Sequence, residues 1–333
     1  RIATNGMGTY RHDSKQGQGS KDPWKHLLQR DKDCNLALVL ADIAAARVAS
    51  LTECGGAARG DQVEFVFGGT AALAGEAVAH LSRGESDAKF FSPSLRMVIC
   101  IPSGITQVEE RAVKDSAEQI GAKEVYLIHE PMAAAIGIGI DVLEPKGNMI
   151  IDIGGGTTEI AVLALGGIVC DKSIKVAGDV FTSDIVYYMR TQHNLYVGER
   201  TAEKIKIHVG SAIEELDNPP ENYPVQGRDL MTGKPKQITV SSSEIAQALN
   251  KSIIQVEDAV MQALAMTPPE LAADIYNTGI YLAGGGSMLR GLDKRISKKT
   301  ELPVYVAEDP LRAVVRGTGI ALKNVESFSF LMK

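Results

Sequence analysis

Short apolar runs alternate with amphipathic stretches along this chain, and the pattern is most regular from residue 90 onward. Residues 97–101 (MVICI) form an unbroken apolar run stopped by Pro102, as expected of a strand buried on both faces. Thr106 and Glu109 have capping-box spacing. Val108, Ala112, Val113, Ala117 and Ile120 then fall on one predicted helix face, which ends at Gly121. Residues 125–128 give the next strand. Glu130-Pro131 opens an alanine-rich helix with proline at its first position, where a missing N–H costs nothing. Apolar runs at 149–153 and 160–165 flank Gly154-Gly155-Gly156 and predict a β-hairpin. A strand follows at 168–176, closed by Gly178-Asp179, and then a helix through Met189. A further helix at 201–212 turns Ala202, Ile205, Val209 and Ala212 inward, and 219–236 reads as loop. Ile245, Leu249, Ile253, Val256, Val260 and Leu264 predict a long helix over 244–265. Thr267-Pro268-Pro269-Glu270 has the spacing of a second capping box. A strand at 279–283 runs into Gly284-Gly285-Gly286-Ser287, and a strand at 303–306 and a helix at 311–322 follow. Strands alternating with helices predict α/β layers.

The first quarter is less patterned. Residues 1–35 are polar and glycine-rich and read as loop, 34–51 as helix, 63–67 as strand, Gly68-Gly69 as turn and 71–81 as helix. Composition then narrows the class. A chain of 333 residues has room for two domains, and 44% hydrophobic with 23% charged residues describes a globular protein. The net charge of −6 argues against nucleic acid as a partner, because a basic face is expected there. Cys34, Cys54, Cys100 and Cys170 are scattered without a C-x-x-C, which points to a reducing compartment and no structural zinc. No apolar run approaches the ~20 residues needed to cross a bilayer. No hydrophobic leader is visible after Arg1, and a cytosolic location is expected.

Candidate chemistry gathers at the glycines. Three consecutive glycines let a backbone come close to a ligand and turn successive N–H groups toward phosphate oxygens. Asp152 at the strand end suits a hydrated Mg²⁺, and Thr157 and Thr158 add hydroxyls. A bare triple glycine serves an ordinary hairpin equally well; the flanking Asp152 and Thr-Thr-Glu favour the nucleotide. The 284–286 cluster repeats the design, and two such strand ends suggest a nucleotide bridging two halves of a fold. Glu130 either complements a helix dipole or orients a water for attack on a γ-phosphate; local sequence leaves both open. Thr157 holds the same water, or satisfies a turn amide. His129 has no second ligand near it in sequence and reads as a loop-end residue. Phe90-Phe91 either packs beneath its loop or forms an apolar wedge for a membrane or partner.

Together these segments resemble the MreB family, bacterial actin-like proteins of the wider actin, heat-shock chaperone and sugar-kinase ATPase superfamily. The resemblance is carried by VICIPSGITQVEERAVKDSAEQIGAKEVYLIHEPMAAAIG, DIGGGTTEIAV, GERTAEKIKI, GRDLMTG, TPPELAADI, LAGGGSMLRGL and PVYVAEDPLRAVVRGTG, in family order over residues 90–323. It implies an α/β actin-like fold, with two RNase H-like domains flanking an ATP cleft. Residues 90–147 with 304–333 would form the first domain and 148–303 the second, while 1–89 would be a non-matching segment that leaves the first domain incomplete. ATP and Mg²⁺ are the implied cofactors. Asp152, Gly154, Gly155, Gly156, Thr157 and Thr158 match the second phosphate loop, with Asp152 near Mg²⁺ through water. Glu130 and Thr157 match the catalytic pair that positions the hydrolytic water. Glu203 and Lys206 match the adenosine side, and Gly284, Gly285 and Met288 the adenine-side loop. Phe90 and Phe91 fall where the family carries a membrane-inserting loop. The implied work is ATP-dependent self-assembly into homopolymeric double filaments in the cytoplasm, associated with the inner membrane surface. There, with the cell-wall elongation machinery as partner, the filaments would organise cell-wall synthesis and rod shape.

One departure stands out. The family begins with a phosphate hairpin of the form D-x-G-T-x-x-T, and residues 1–89 contain no D-x-G. That hairpin supplies half of the groups that handle charge around the triphosphate, so weak binding and poor hydrolysis are expected and enzymatic activity stays open. The expectation is non-homologous sequence joined to an MreB-like body by a frameshifted or misassembled reading frame. A non-hydrolysing scaffold is one alternative. A metabolic kinase of the same superfamily is another, although no acceptor-site base can be nominated for it. A chaperone-type ATPase would need a substrate domain after the core, and only about ten residues follow Lys323.

Overall fold

Two sheets carry the fold. The structure is a computed structural model that describes residues 56–59, 62–68, 94–119 and 122–333, with side chains from residue 96 onward. The first sheet has four strands: β1 (Gly56–Arg59), β2 (Gln62–Gly68), β3 (Ser94–Ile101) and β4 (Ala122–His129). They lie in that order, with β1 antiparallel to β2 and β3 parallel to both β2 and β4. The second sheet is built on the hairpin β5 (Asn148–Ile153) and β6 (Thr158–Ala164), extended by β7 (Gly167–Ile174). Strand β8 (Leu195–Tyr196), β9 (Tyr223–Asp229) and β10 (Pro235–Val240) form a small third sheet. Strand β11 (Ile280–Ala283) then returns to the second sheet parallel to β5, and β12 (Val304–Val306) pairs parallel to β11, giving the order β12-β11-β5-β6-β7.

β5 is buried along its whole length because it separates two cores. Met149, Ile151 and Ile153 pack with Phe181, Ile185, Ile253 and Val256 on one face. Ile150 faces the other way, toward Val98, Cys100 and Ile128 of the first sheet. Side chains alternate along a strand, so Asp152 shares the face of Ile150 and looks toward the first sheet. A carboxylate in an otherwise apolar strand is therefore placed at the junction of the two units.

Among the helices are α1 (Gln107–Gln119), α2 (Glu130–Gly137), α3 (Gly178–His193), α4 (Glu199–Val209), α5 (Ser242–Met266), α6 (Pro269–Thr278), α7 (Leu292–Thr300) and α8 (Ala313–Lys323). Helices α2 and α8 fill the space between the sheets and cross at glycine. A Cβ on Gly137 would stand 1.8 Å from the Ala313 carbonyl oxygen, and one on Gly317 would stand 1.7 Å from that of Ala133. Only hydrogen at both positions permits so close a crossing.

Several sequence expectations need correction. The Thr106–Glu109 capping box forms, with Thr106 N–H donating to Glu109 Oε2 at 2.9 Å and Glu109 N–H to Thr106 Oγ1 at 3.3 Å. Yet α1 buries only Val113 and Ala117, and Val108 is 79% exposed, because a helix lying along one line of a sheet hides one stripe. Thr267 caps nothing in α6. Its hydroxyl donates to Ala263 O at 2.8 Å, so it closes α5, and Pro268 is the N-cap of α6. In α2 the proline stands one place later than expected, after Glu130. The stretch 219–236 is largely hairpin, and Gly227 lies inside β9, where a Cβ would meet the Tyr196 carbonyl at 2.6 Å. Residues 304–306, expected with the first domain, form β12 and pair into the second sheet. The strand expected at 63–67 is present as β2. The expected helices at 34–51 and 71–81 and the loop at 1–35 lie outside the described residues.

The glycine crossing yields a prediction. Gly317→Ala should destabilise the chain by about 3 kcal/mol through overpacking against backbone. Gly319→Ala, where the added Cβ meets nothing within 4 Å, should be neutral or stabilising by about 0.5–1 kcal/mol. Denaturant unfolding of the two variants reads the difference.

Candidate functional site

The two glycine clusters meet at one edge of the second sheet. Strands β5 and β11 run parallel with Ala283 opposite Asp152, so Ile153-Gly154 and Gly284-Gly285 leave the sheet side by side. Gly284 has a left-handed φ of 78°, and a Cβ there would stand 2.4 Å from Asp152 Oδ1 and 2.4 Å from the Ile153 carbonyl oxygen. A Cβ on Gly286 would meet Ile153 Cγ2 at 2.3 Å. The sequence suggests a nucleotide bridging two halves of a fold, with both clusters inside the expected second domain, 148–303. In the structure they are adjacent strand ends of one sheet, because β11 returns into the sheet next to β5. Carboxyl ends of parallel strands are where open α/β sheets bind ligands.

The hairpin turn is closed by Gly154 N–H donating to Thr157 O at 3.0 Å. Gly156 is exposed at its tip, Gly155 and Thr157 are half-buried, and Asp152 at its base is 6% exposed. Thr158 departs from expectation. It is fully buried and its hydroxyl donates to Val176 O at 2.7 Å, so only its backbone faces the turn. The start of α3 holds the turn from behind: Gly178 N–H donates to Gly154 O at 3.1 Å and Asp179 N–H to Gly155 O at 2.9 Å.

The same helix start brings in the expected adenosine-side residues. Lys206 Nζ donates to Gly178 O at 2.8 Å and to Thr182 Oγ1 at 3.0 Å, and pairs with Glu203 Oε2 at 2.7 Å. The Thr182 hydroxyl in turn donates to Glu203 at 2.7 Å. Glu203 and Lys206 are thus coupled to the glycine turn through Gly178 and Thr182. Sequence reasoning missed these two residues, although Gly178-Asp179 was visible as the end of a strand. Beside the end of α4 lies the 3₁₀ turn Gly285–Met288, with Gly285 exposed and Met288 57% exposed. Arg290 ties this turn to the end of α4, its guanidinium donating to Ile207 O at 3.1 Å and Gly210 O at 3.3 Å. Ala212 N–H donates back to Arg290 O at 2.8 Å. The helix that carries Glu203 and Lys206 is thereby tied to the turn that carries Gly285 and Met288.

Glu130 comes from the first unit. It opens α2 directly after β4 and is half-buried, with His129 as N-cap. His129 Nδ1 is buried with no hydrogen-bond partner among the described residues. Fully buried Cys100 on β3 reports what surrounds it. Burial pushes its thiol well up, the negative charge of Glu130 adds to this and that of Asp152 adds further, while a hydrogen bond with Thr318 opposes them. The charges of Glu130 on α2 and of Asp152 on β5 thus both reach one buried thiol. Phe90 and Phe91 lie outside the described residues.

With this geometry in hand, comparison with known proteins is direct. A family model described as MreB/Mbl protein matches residues 71–329, starting ahead of the boundary at residue 90. Cell shape-determining protein Mbl of Bacillus subtilis (strain 168) is 46% identical over 231 residues, 69% of each chain. Cell shape-determining protein MreB of Escherichia coli (strain K12) is 47% identical over 242 residues, 71% of this chain and 68% of that one. Among solved structures, MreB 5 of Spiroplasma citri bound to AMPPNP aligns with a TM-score of 0.70 and 38% identity over 75% of each chain. A MamK double helical filament aligns with a TM-score of 0.61 at 22% identity, over 77% of this chain and 75% of that one, a likeness of fold alone. The fold is actin-like, and the chain belongs to the MreB/Mbl family of cell shape-determining proteins.

Proposed function

We propose that this chain binds ATP with Mg²⁺ between the glycine turns and assembles with copies of itself into filaments that support cell shape. The observation that carries the reading is the contact of Gly284 with Asp152, which sets two glycine strand ends against one buried carboxylate. Solved relatives bound to AMPPNP and to ADP support the ligand. In this reading Gly154, Gly155, Gly156 and the backbone of Thr157 and Thr158 cradle phosphate oxygens. Glu203 and Lys206 border the adenosine, and Gly284, Gly285 and Met288 the adenine. Asp152 fits a hydrated Mg²⁺, which is held by one or two carboxylates plus phosphates and not by an all-protein cage. Bound there, Mg²⁺ would neutralise charge on the phosphates. Glu130 and Thr157 orient the attacking water, and Glu130 accepts its proton. The filaments would be double and lie in the cytoplasm against the inner membrane surface, with Phe90 and Phe91 inserting and the cell-wall elongation machinery as partner. No helix of the described residues is long and apolar enough to cross a membrane.

The absence of a D-x-G in residues 1–89 favours a second reading, a scaffold that binds nucleotide and polymerises without turnover. Sedimentation with ATP·Mg²⁺, with a non-hydrolysable analogue and without nucleotide, run beside phosphate release, separates the two. The ATPase reading expects nucleotide-dependent pelleting with phosphate release, and the scaffold reading expects pelleting alone. Pelleting that ignores nucleotide would contradict both. Glu130→Ala should leave the fold intact and slow phosphate release by at least about 100-fold, the usual scale of general-base assistance; unchanged turnover removes Glu130 from the reaction. Gly284→Ala should weaken ATP binding at least tenfold in calorimetry, roughly the 1.4 kcal/mol equivalent. Gly156→Ala, where a Cβ meets nothing within 4 Å, should change it by less than about threefold. Phe90→Ser with Phe91→Ser should reduce co-sedimentation with anionic liposomes; equal co-sedimentation assigns the pair to packing.

A further inference from the structure

Beside Asp152 lies a second buried carboxylate, for which the nucleotide site as described has no use. Glu159 on β6 is 1% exposed. It pairs in register with Asp152 on β5 and with Ser173 on β7. Residues directly opposite in antiparallel strands share a face, so all three look toward the first unit. No cation is paired with Glu159 among the described residues. Its oxygens are taken by two hydroxyls: Ser173 Oγ donates to Oε1 at 2.6 Å, and Ser103 Oγ donates to Oε2 at 2.5 Å. Ser173 belongs to the same sheet. Ser103 does not, since it sits in the loop between β3 and α1 of the first unit. The two units touch here, and a Cβ on Gly104 would lie 3.7 Å from Ser173 Cβ.

A buried carboxylate without a cation is costly unless its oxygens are hydrogen-bonded. Opening the cleft would withdraw Ser103 and admit water, exchanging one charge-assisted hydrogen bond for hydration. One donor from each unit thus sets whether the closed arrangement holds. We propose that Glu159 is a positioning residue that latches the Ser103 loop of the first unit onto the second, beside the glycine turn, and so sets how tightly the cleft closes on its ligand. The proposal rests on the nucleotide reading above for the identity of that ligand.

Two variants divide the contact. Ser103→Ala removes only the donor that crosses between units, and Ser173→Ala removes only the donor within one sheet. Hydrogen bonds to charged groups are worth about a tenfold change in equilibrium or more. In the full chain, Ser103→Ala should speed release of a fluorescent ATP analogue about tenfold, and Ser173→Ala by less than about threefold. Release at the wild-type rate from Ser103→Ala, or equal acceleration by both variants, overturns the latch. A second arm needs no nucleotide. The 3.7 Å Cβ separation is within the range for a disulfide, so Gly104→Cys with Ser173→Cys should cross-link under mild oxidation, mapped by peptide mass spectrometry. Failure to cross-link overturns the latch. Cross-linking in a chain that takes up no ATP analogue would sink the nucleotide reading and leave the contact between units standing.

Discussion

A carboxylate pressed against bare backbone, at the ends of two parallel strands, is the constraint on which the rest of the structure depends. Asp152 can sit beside Gly284 only because that residue lacks a Cβ and adopts a left-handed φ that other residues rarely hold. The parallel pairing of β11 with β5 sets Ala283 level with Asp152 and so fixes the contact. From there the site is assembled by short links. The start of α3 holds the first glycine turn, Lys206 and Glu203 hold the start of α3, and Arg290 holds the second turn to α4. The result is a buried floor with two linked turns beside it, built from segments more than a hundred residues apart.

That floor is also a joint. One face of β5 belongs to the core of the second unit, and the other to a core shared with the first. Helices α2 and α8 lie in the shared core and cross through Gly137 and Gly317 with no room for a side chain. Glu130 opens one of these helices, so the packing that joins the units also places the candidate base. Energetically the site is expensive, since Asp152 and Glu159 are both nearly removed from water. The hydroxyls around Glu159 offset part of that cost and couple it to the arrangement of the units.

Much of this was legible in the sequence because local rules carried it. The hairpin around Gly154, the strand before Gly284 and the long amphipathic helix ending at Met266 follow from periodicity and turn chemistry. Glycines at 154–156 and 284–286, singled out by their sequence, lie at adjacent strand ends. What periodicity cannot supply is which strands become neighbours, so the parallel pairing of β11 with β5 that sets the two clusters side by side is visible only in the fold. The same limit hid Thr182, Arg290 and Glu159, whose partners are remote in sequence. Val108 and Thr267 failed for another reason: their local patterns fit, but solvent took the first and the end of α5 the second. Thr158 likewise looked like a ligand donor until β6 turned its hydroxyl into the core.

Hydrogen exchange of the full chain with and without ATP·Mg²⁺ tests the central claim most directly, because it reads both turns in one experiment without altering a residue. Slowed exchange should appear together at residues 154–158, at the start of α3 and at 284–288, while the outer hairpin of β9 and β10 stays unchanged. Protection of one glycine turn without the other, or of neither, would contradict a shared site.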